Sequence, residues 1–259
     1  MPGDAAINTG TLLSFLVVLA RVSGIFAFIS FPGMRQGPEP IRAFFALSFT
    51  IALMPLWPVL PNASPSLGQF TGWLLSEAAF GIAIGLSLAV VTEVFLLTAQ
   101  LLSLQSGLSY ASAVDPTSTA DSGALTLVAN LAAGLLVFST GLHRQIILAI
   151  AHSLELLPPG AYMVQSQTAI QIFHFAGTIF GTGLRLAMPV MAFLLMLDLG
   201  LALMGRLSPG LGLFTLAFPL KIILTLFICS ELLTLFPRIF ERLAKLCLSL
   251  VNAQLPAPF

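Results

Sequence analysis

Residues 12–31 read LLSFLVVLARVSGIFAFISF, twenty residues that are apolar almost throughout and carry one arginine, Arg21, at their centre. As a helix rising 1.5 Å per residue the stretch spans about 30 Å, the thickness of a bilayer hydrocarbon core. A charge at that depth costs roughly 2.5 to 3.5 kcal/mol. Thirteen Leu, Ile, Val and Phe residues in the same stretch each return roughly 0.3 to 0.6 kcal/mol. The segment can therefore insert, but the charge needs something other than lipid to face: protein, water or a counter-charge.

The pattern recurs down the chain. Glu77 and Glu93 lie in the apolar run 70–104, Arg185 and Asp198 in 170–203, and Lys221 in 211–235. Structural pairing between helices is the ordinary reading of such charges, because breaking a buried pair is costly even where the pair itself is marginal. An ion or proton path, as in a secondary transporter, is the alternative, with Pro219 marking a broken helix. Against a transporter, the two halves show no evident internal repeat.

Composition agrees with the opening stretch. The 259 residues are 58% hydrophobic and only 8% charged, with a mean hydropathy of +1.02, against about a quarter charged for soluble domains. Six or so apolar helices in a single domain, 1–259, are expected, since no polar stretch is long enough for a soluble module. Ten basic residues balance ten acidic ones, which leaves no basic patch for nucleic acid and makes membrane lipid the expected environment. No Lys or Arg precedes Arg21 and Asp4 stands where a signal peptide is positive, so the first run is expected to be retained. Cys229 and Cys247 lack C-x-x-C spacing and read as buried thiols.

Proline and glycine divide the runs. The first ends at Pro32 and Gly33, and 41–54 forms a second helix, so the chain opens with a helical hairpin. Pro55, Pro58, Pro61 and Pro65 end it and stiffen the next connection. The proline-free run 70–104 would measure about 52 Å as one helix, and so must break, tilt or project from the lipid. Within it Gly81, Gly85 and Ala89 form a small-residue row, and Gly177 and Gly181 repeat the spacing, a pattern that lets helix backbones approach closely.

Residues 105–123 read QSGLSYASAVDPTSTADSG, the most polar interior stretch and a loop between long apolar elements. The run 124–157 is helical with an interruption at Gly141, His143 and Arg144. Arg185 and Asp198, thirteen residues apart, lie about 20 Å apart on a straight helix and cannot pair there. Pro219 predicts a kink or half-helix just before Lys221. An amphipathic tail helix over 238–253 places Ile239, Phe240, Leu243, Leu246, Cys247, Leu250 and Val251 on one face, toward a membrane surface or a partner. Arg35 and Arg42, weighed against Arg238, Arg242 and Lys245, do not satisfy the positive-inside rule for six simple spans.

No H-E-x-x-H, G-x-S-x-G, P-loop or dinucleotide fingerprint is present, and His143, His152 and His174 lack metal-ligand spacing. Neither a catalytic role, a cofactor nor a metal is expected.

A resemblance spans nearly the whole chain. Leu19-Ala20-Arg21-Val22-Ser23-Gly24 leading to Phe31-Pro32-Gly33 is followed by Ile41-Arg42. Next come Gly107-Leu108-Ser109-Tyr110-Ala111-Ser112 with Asp115-Pro116, and then Gly141-Leu142-His143 with Ser153, Leu157 and Pro158. The series closes with Met188-Pro189-Val190, Asp198, Arg206, Ser208-Pro209 and Phe218-Pro219-Leu220-Lys221. In this order the motifs resemble the FliR/SctT family of type III export gate subunits. The chain departs from it where the family usually shows Gly-His and an Ala-Pro-like turn.

The resemblance implies an all-α, membrane-derived bundle of long bent hairpins like a fused FliP–FliQ pair. Hairpins would occupy about 10–104 and 124–235, on either side of the loop 105–123. It implies a single-copy subunit assembling with FliP and FliQ homologues, near FlhB and FlhA homologues, in the bacterial inner membrane and flagellar basal body, for passage of unfolded substrates. A virulence SctT-type subunit is the close alternative. The loop residues Gly107, Leu108, Ser109, Tyr110, Ala111, Val114, Asp115, Pro116 and Gly123 would form a pore plug. Tyr110 and Val114 would occlude, and Gly107, Pro116 and Gly123 would set hinge and turn. Arg21, Glu77, Glu93, Arg185, Asp198 and Lys221 would be buried polar joints of packing or assembly.

Overall fold

A computed structural model describes residues 9–28, 39–58, 60, 65–109, 123–162, 166–207 and 213–255. Among them the protein is all-α. In chain order the helices are α1 (Thr9–Phe28), α2 (Glu39–Ala52) with a 3-10 turn at Met54–Leu56, α3 (Leu67–Ser106), α4 (Ala124–Ser139), α5 (Leu142–Leu156), α6 (Ser166–Leu207) and α7 (Leu213–Ala253). Four of these, α1, α3, α6 and α7, are long and apolar enough to cross a membrane, and the pair α4–α5, broken at Thr140–Gly141, is a fifth candidate.

The proline-free run predicted to break, tilt or project from the lipid does not break: it lies within one helix of 40 residues, about 60 Å long. The glycine at the α4–α5 break has φ +71°, a left-handed conformation that only glycine adopts cheaply, which is why the helix ends there.

Two expectations about the C-terminal third are corrected. Pro219 does not end a half-helix, and no separate tail helix begins at 238: α7 runs through both Pro219 and Pro237 for 41 residues. A proline removes one N–H and crowds the carbonyl four residues back, but packing on both sides can hold the helix in register. Here Phe236 and Phe240 flank Pro237 and both stack on Phe95, with ring centroids 4.8 and 5.9 Å apart. The predicted tail face turns inward: Phe240, Leu243, Cys247 and Val251 are buried in the chain itself, while Leu246 stays exposed.

The chain gathers into two compact units. One comprises Met1–Ala89, Gly141–Ala176 and Ala244–Phe259; the other comprises Val90–Thr140 and Gly177–Leu243. In the first unit α1 buries Ser14, Val17, Val18, Arg21, Val22 and Ile25, residues at the three-to-four spacing of one helical face. The hairpin partner α2 is held by Phe26 on Phe49, 5.8 Å between centroids, and by Phe15 on Trp57, 5.5 Å. The Trp57 indole donates to the Thr50 carbonyl at 3.0 Å.

The α1–α3 crossing is closer than side chains would allow. A Cβ on Gly24 would lie 2.7 Å from the Ala78 carbonyl oxygen, one on Gly85 would lie 2.7 Å from that of Ile25, and one on Gly81 would fall on that of Arg21. The first small-residue row is therefore a contact seam, and Gly24, which lies outside that row, supplies its other side. Gly177 and Gly181 meet nothing within 4 Å.

Candidate functional site

The α1–α3 seam brings the centre of the opening stretch against α3. Arg21 and Glu77 are 1% and 0% exposed, and the Arg21 Nε donates to Glu77 Oε2 in a buried ion pair. The other guanidinium edge donates from Nη1 to Ser153 Oγ on α5 at 3.0 Å, and that hydroxyl sits 2.7 Å from the Ile150 carbonyl. Glu77 Oε1 accepts the Gly160 amide at 3.2 Å. The Arg21 guanidinium also lies 5.0 Å from the centre of the Phe80 ring, a cation–π contact that helps replace lost hydration. A charge that lipid would reject is thus held by groups from α1, α3, α5 and the turn after α5.

That turn is itself built to reach the pair. Gly160 has φ +78°, and a side chain there would strike the Trp73 indole. Ser76 donates to the Tyr162 carbonyl at 2.6 Å, and the Tyr162 ring meets Phe80 edge-on at 4.8 Å. Burial pushes the Tyr162 phenol above its usual pKa, and its hydroxyl has no hydrogen-bond partner among the described residues. Gly160→Ala should cost at least the roughly 1–2 kcal/mol of a left-handed alanine and displace Trp73. A lowered melting temperature together with a shifted tryptophan emission would show both effects; an unchanged spectrum would refute the contact.

In the second unit Lys221 Nζ on α7 lies 2.5 Å from Asp198 Oδ1 on α6, with the side chains 18% and 39% exposed. The two charges come from different apolar runs, and Asp198 does not pair with Arg185 on its own helix. Glu93 is half-buried on α3, and Arg185 is exposed on α6. The Thr98 hydroxyl lies 2.8 Å from the Val94 carbonyl and 3.2 Å from that of Gly183, joining α3 to α6.

Of the residues expected in the polar loop, Tyr110, Ala111, Val114, Asp115 and Pro116 lie outside the described residues; Gly107, Leu108, Ser109 and Gly123 lie within. Gly107 has φ +82°, and a Cβ there would lie 3.1 Å from the Phe218 ring on α7. The amide and hydroxyl of Ser109 both lie 3.3 Å from the Ser103 carbonyl. Gly123 precedes α4, its carbonyl accepting from Thr126 at 2.8 Å, and a Cβ on it would come 3.2 Å from Ser103 Oγ. Both ends of the loop therefore meet at Ser103, near the end of α3. Among the described residues no three His, Cys, Asp or Glu side chains form a group that could hold a metal ion.

Sequence reasoning named Ser153 and Gly24 only inside the resemblance motifs, with no role of their own, and gave no role to Gly160 or Ser103. Single serines and glycines give no signal beyond turn propensity, and their partners lie across helix crossings.

The model of the bacterial export proteins, family 1, matches residues 12–246. Flagellar biosynthetic protein FliR of Escherichia coli K12 is 28% identical over 87% of this chain and 86% of its own length. The proteins of that name from Caulobacter vibrioides and Pectobacterium carotovorum are each 30% identical, over 81% and 78% of this chain and 84% and 78% of their own lengths.

Proposed function

This chain belongs to the bacterial export proteins, family 1, and on that premise we propose that it is a non-enzymatic subunit of the flagellar type III protein export apparatus. In this reading it is a single-copy structural wall of the export pore in the bacterial inner membrane, at the basal body. It assembles with FliP and FliQ homologues, lies near FlhB and FlhA homologues, and lets unfolded flagellar proteins pass. The observation that carries the proposal is similarity to FliR proteins over more than three quarters of both chains. The name those relatives carry favours the flagellar branch over the virulence one.

The buried charges support a scaffold over the rival transporter. Arg21 and Glu77 pair with 1% and 0% exposure. A transporter site needs groups that a solute or proton can reach and exchange with; a dry, fully satisfied pair instead fixes helix register.

Within the same reading the loop 105–123 plugs the closed pore, with Tyr110 and Val114 as the occluding side chains. Gly107 and Gly123 give its ends their freedom of conformation, and the Ser103 carbonyl accepts from Ser109 at the first end. Deleting residues 110–116 in the gate assembled with FliP and FliQ homologues should raise small-solute leakage across the membrane severalfold. Leakage equal to that of the intact gate would reject the plug while leaving the subunit assignment standing. Failure of the intact chain to co-purify with those homologues would reject the assignment itself.

A further inference from the structure

One cation in the middle of an apolar helix has no partner among the described residues. Arg185, the twentieth residue of the 42-residue α6, is exposed. Unlike Arg21 and Lys221, it makes no hydrogen bond or ion pair among the described residues. It stands on an outward stripe of α6 formed by Gly177, Phe180, Gly181, Leu184, Met188, Met196, Leu199 and Leu203, all exposed. Only 22% of the most apolar window of α6 is buried within the chain, against 72% for α3.

Lipid cannot solvate a guanidinium in the middle of such a helix, and no other polar side chain of the described α6 face neutralises it. The nearest acid along the helix, Asp198, is about 20 Å away on a straight helix and already holds Lys221. A second copy of this chain packed symmetrically on the same stripe would oppose arginine to arginine. Charge complementarity therefore excludes that self-packing and asks for a helix that brings a carboxylate to this depth.

We propose that the exposed stripe of α6 centred on Arg185 is a docking surface for an apolar membrane helix of a different subunit, whose carboxylate pairs with Arg185. Gly177 and Gly181, with open space around them, let that helix approach one to two turns from the ion pair. The proposal rests on the reading of the chain as an export-gate subunit. It adds where a neighbour seats and what charge it carries.

The test uses the full chain co-expressed with FliP and FliQ homologues, with a photo-crosslinking amino acid at Leu184 or Met188. Crosslinks to a different membrane subunit, at a site beside an acidic residue, are expected. Crosslinks only to a second copy of this chain, or only to lipid, would overturn the proposal. Arg185→Leu should lower recovery of the assembled complex about tenfold while the chain expressed alone inserts as before, since no internal bond is lost. Arg185→Lys should retain most of the recovery, and reversing both charges, Arg185→Glu with the crosslinked acid changed to lysine, should restore it. Normal assembly of Arg185→Leu would overturn the docking face and leave the export reading intact. A wild-type chain that co-purifies with no other membrane subunit would overturn both.

Discussion

Arg21→Leu is expected to be among the most damaging single substitutions in the chain. It leaves Glu77 at 0% exposure with the Gly160 amide as the remaining donor to its carboxylate, and it strips Ser153 of the guanidinium that it accepts. Removing one member of a buried pair costs about 3–5 kcal/mol, because the other charge is left without compensation. Domain stabilities run to about 5–15 kcal/mol, so that loss is a large share of what holds a unit together. Glu77→Leu should be comparably severe, stranding Arg21 at 1% exposure. The double variant Arg21→Leu/Glu77→Leu should melt above either single, since it removes both charges and fills the site with apolar volume. Thermal unfolding of the purified protein in detergent, followed by tryptophan emission, reads all three. Trp73 borders Gly160, which Glu77 holds, and so reports on the pair directly. Additive effects in the double variant would show that the two residues do not act as a pair.

The same residue marks how far sequence carried the argument. Arg21 stands out in residues 12–31 because a charge amid thirteen large apolar residues needs a partner, and that much is physical chemistry of a single segment. Its partner is 56 residues away and its second contact 132 residues away. Both depend on how helices cross, which no local pattern encodes. The long helices were legible by length and composition, but their ends and continuity were not: a proline lowers helix stability locally, yet α7 continues past Pro237, where Phe236 and Phe240 pack on Phe95. Arg185 and Arg21 look alike as sequence, one cation inside one apolar run. One is the centre of a satisfied cluster and the other faces outward, because burial depends on the neighbours a helix acquires rather than on its own residues.

Glycine pairs make that dependence measurable. Gly81 and Gly85 have the same spacing as Gly177 and Gly181, yet substitution should act in opposite directions. At Gly81 a methyl group would fall on the Arg21 carbonyl oxygen, with the Cα of Gly24 at 3.1 Å. Backbone on both sides cannot rotate away as a side chain could, so α1 and α3 must separate. Overpacking of this kind costs about 1–3 kcal/mol and occasionally more. The residue pushed away is Arg21 itself, so separation also stretches its bond to Glu77, and Gly81→Ala should exceed that range. The coupling can be tested: in the Arg21→Leu/Glu77→Leu background the same substitution should cost less than in the native chain, because no ion pair remains to be pulled apart. Gly177→Ala and Gly181→Ala meet nothing within 4 Å. In the isolated chain each should stabilise by up to about 0.5–1 kcal/mol, the difference between glycine and alanine inside a helix. Melting temperatures that fall at Gly81 and hold or rise at Gly177 and Gly181 would show that one motif is a seam within this chain. A fall at Gly177 or Gly181 in the isolated chain would place a neighbour against α6 that belongs to the same polypeptide. That result would remove the room on which docking by another subunit depends.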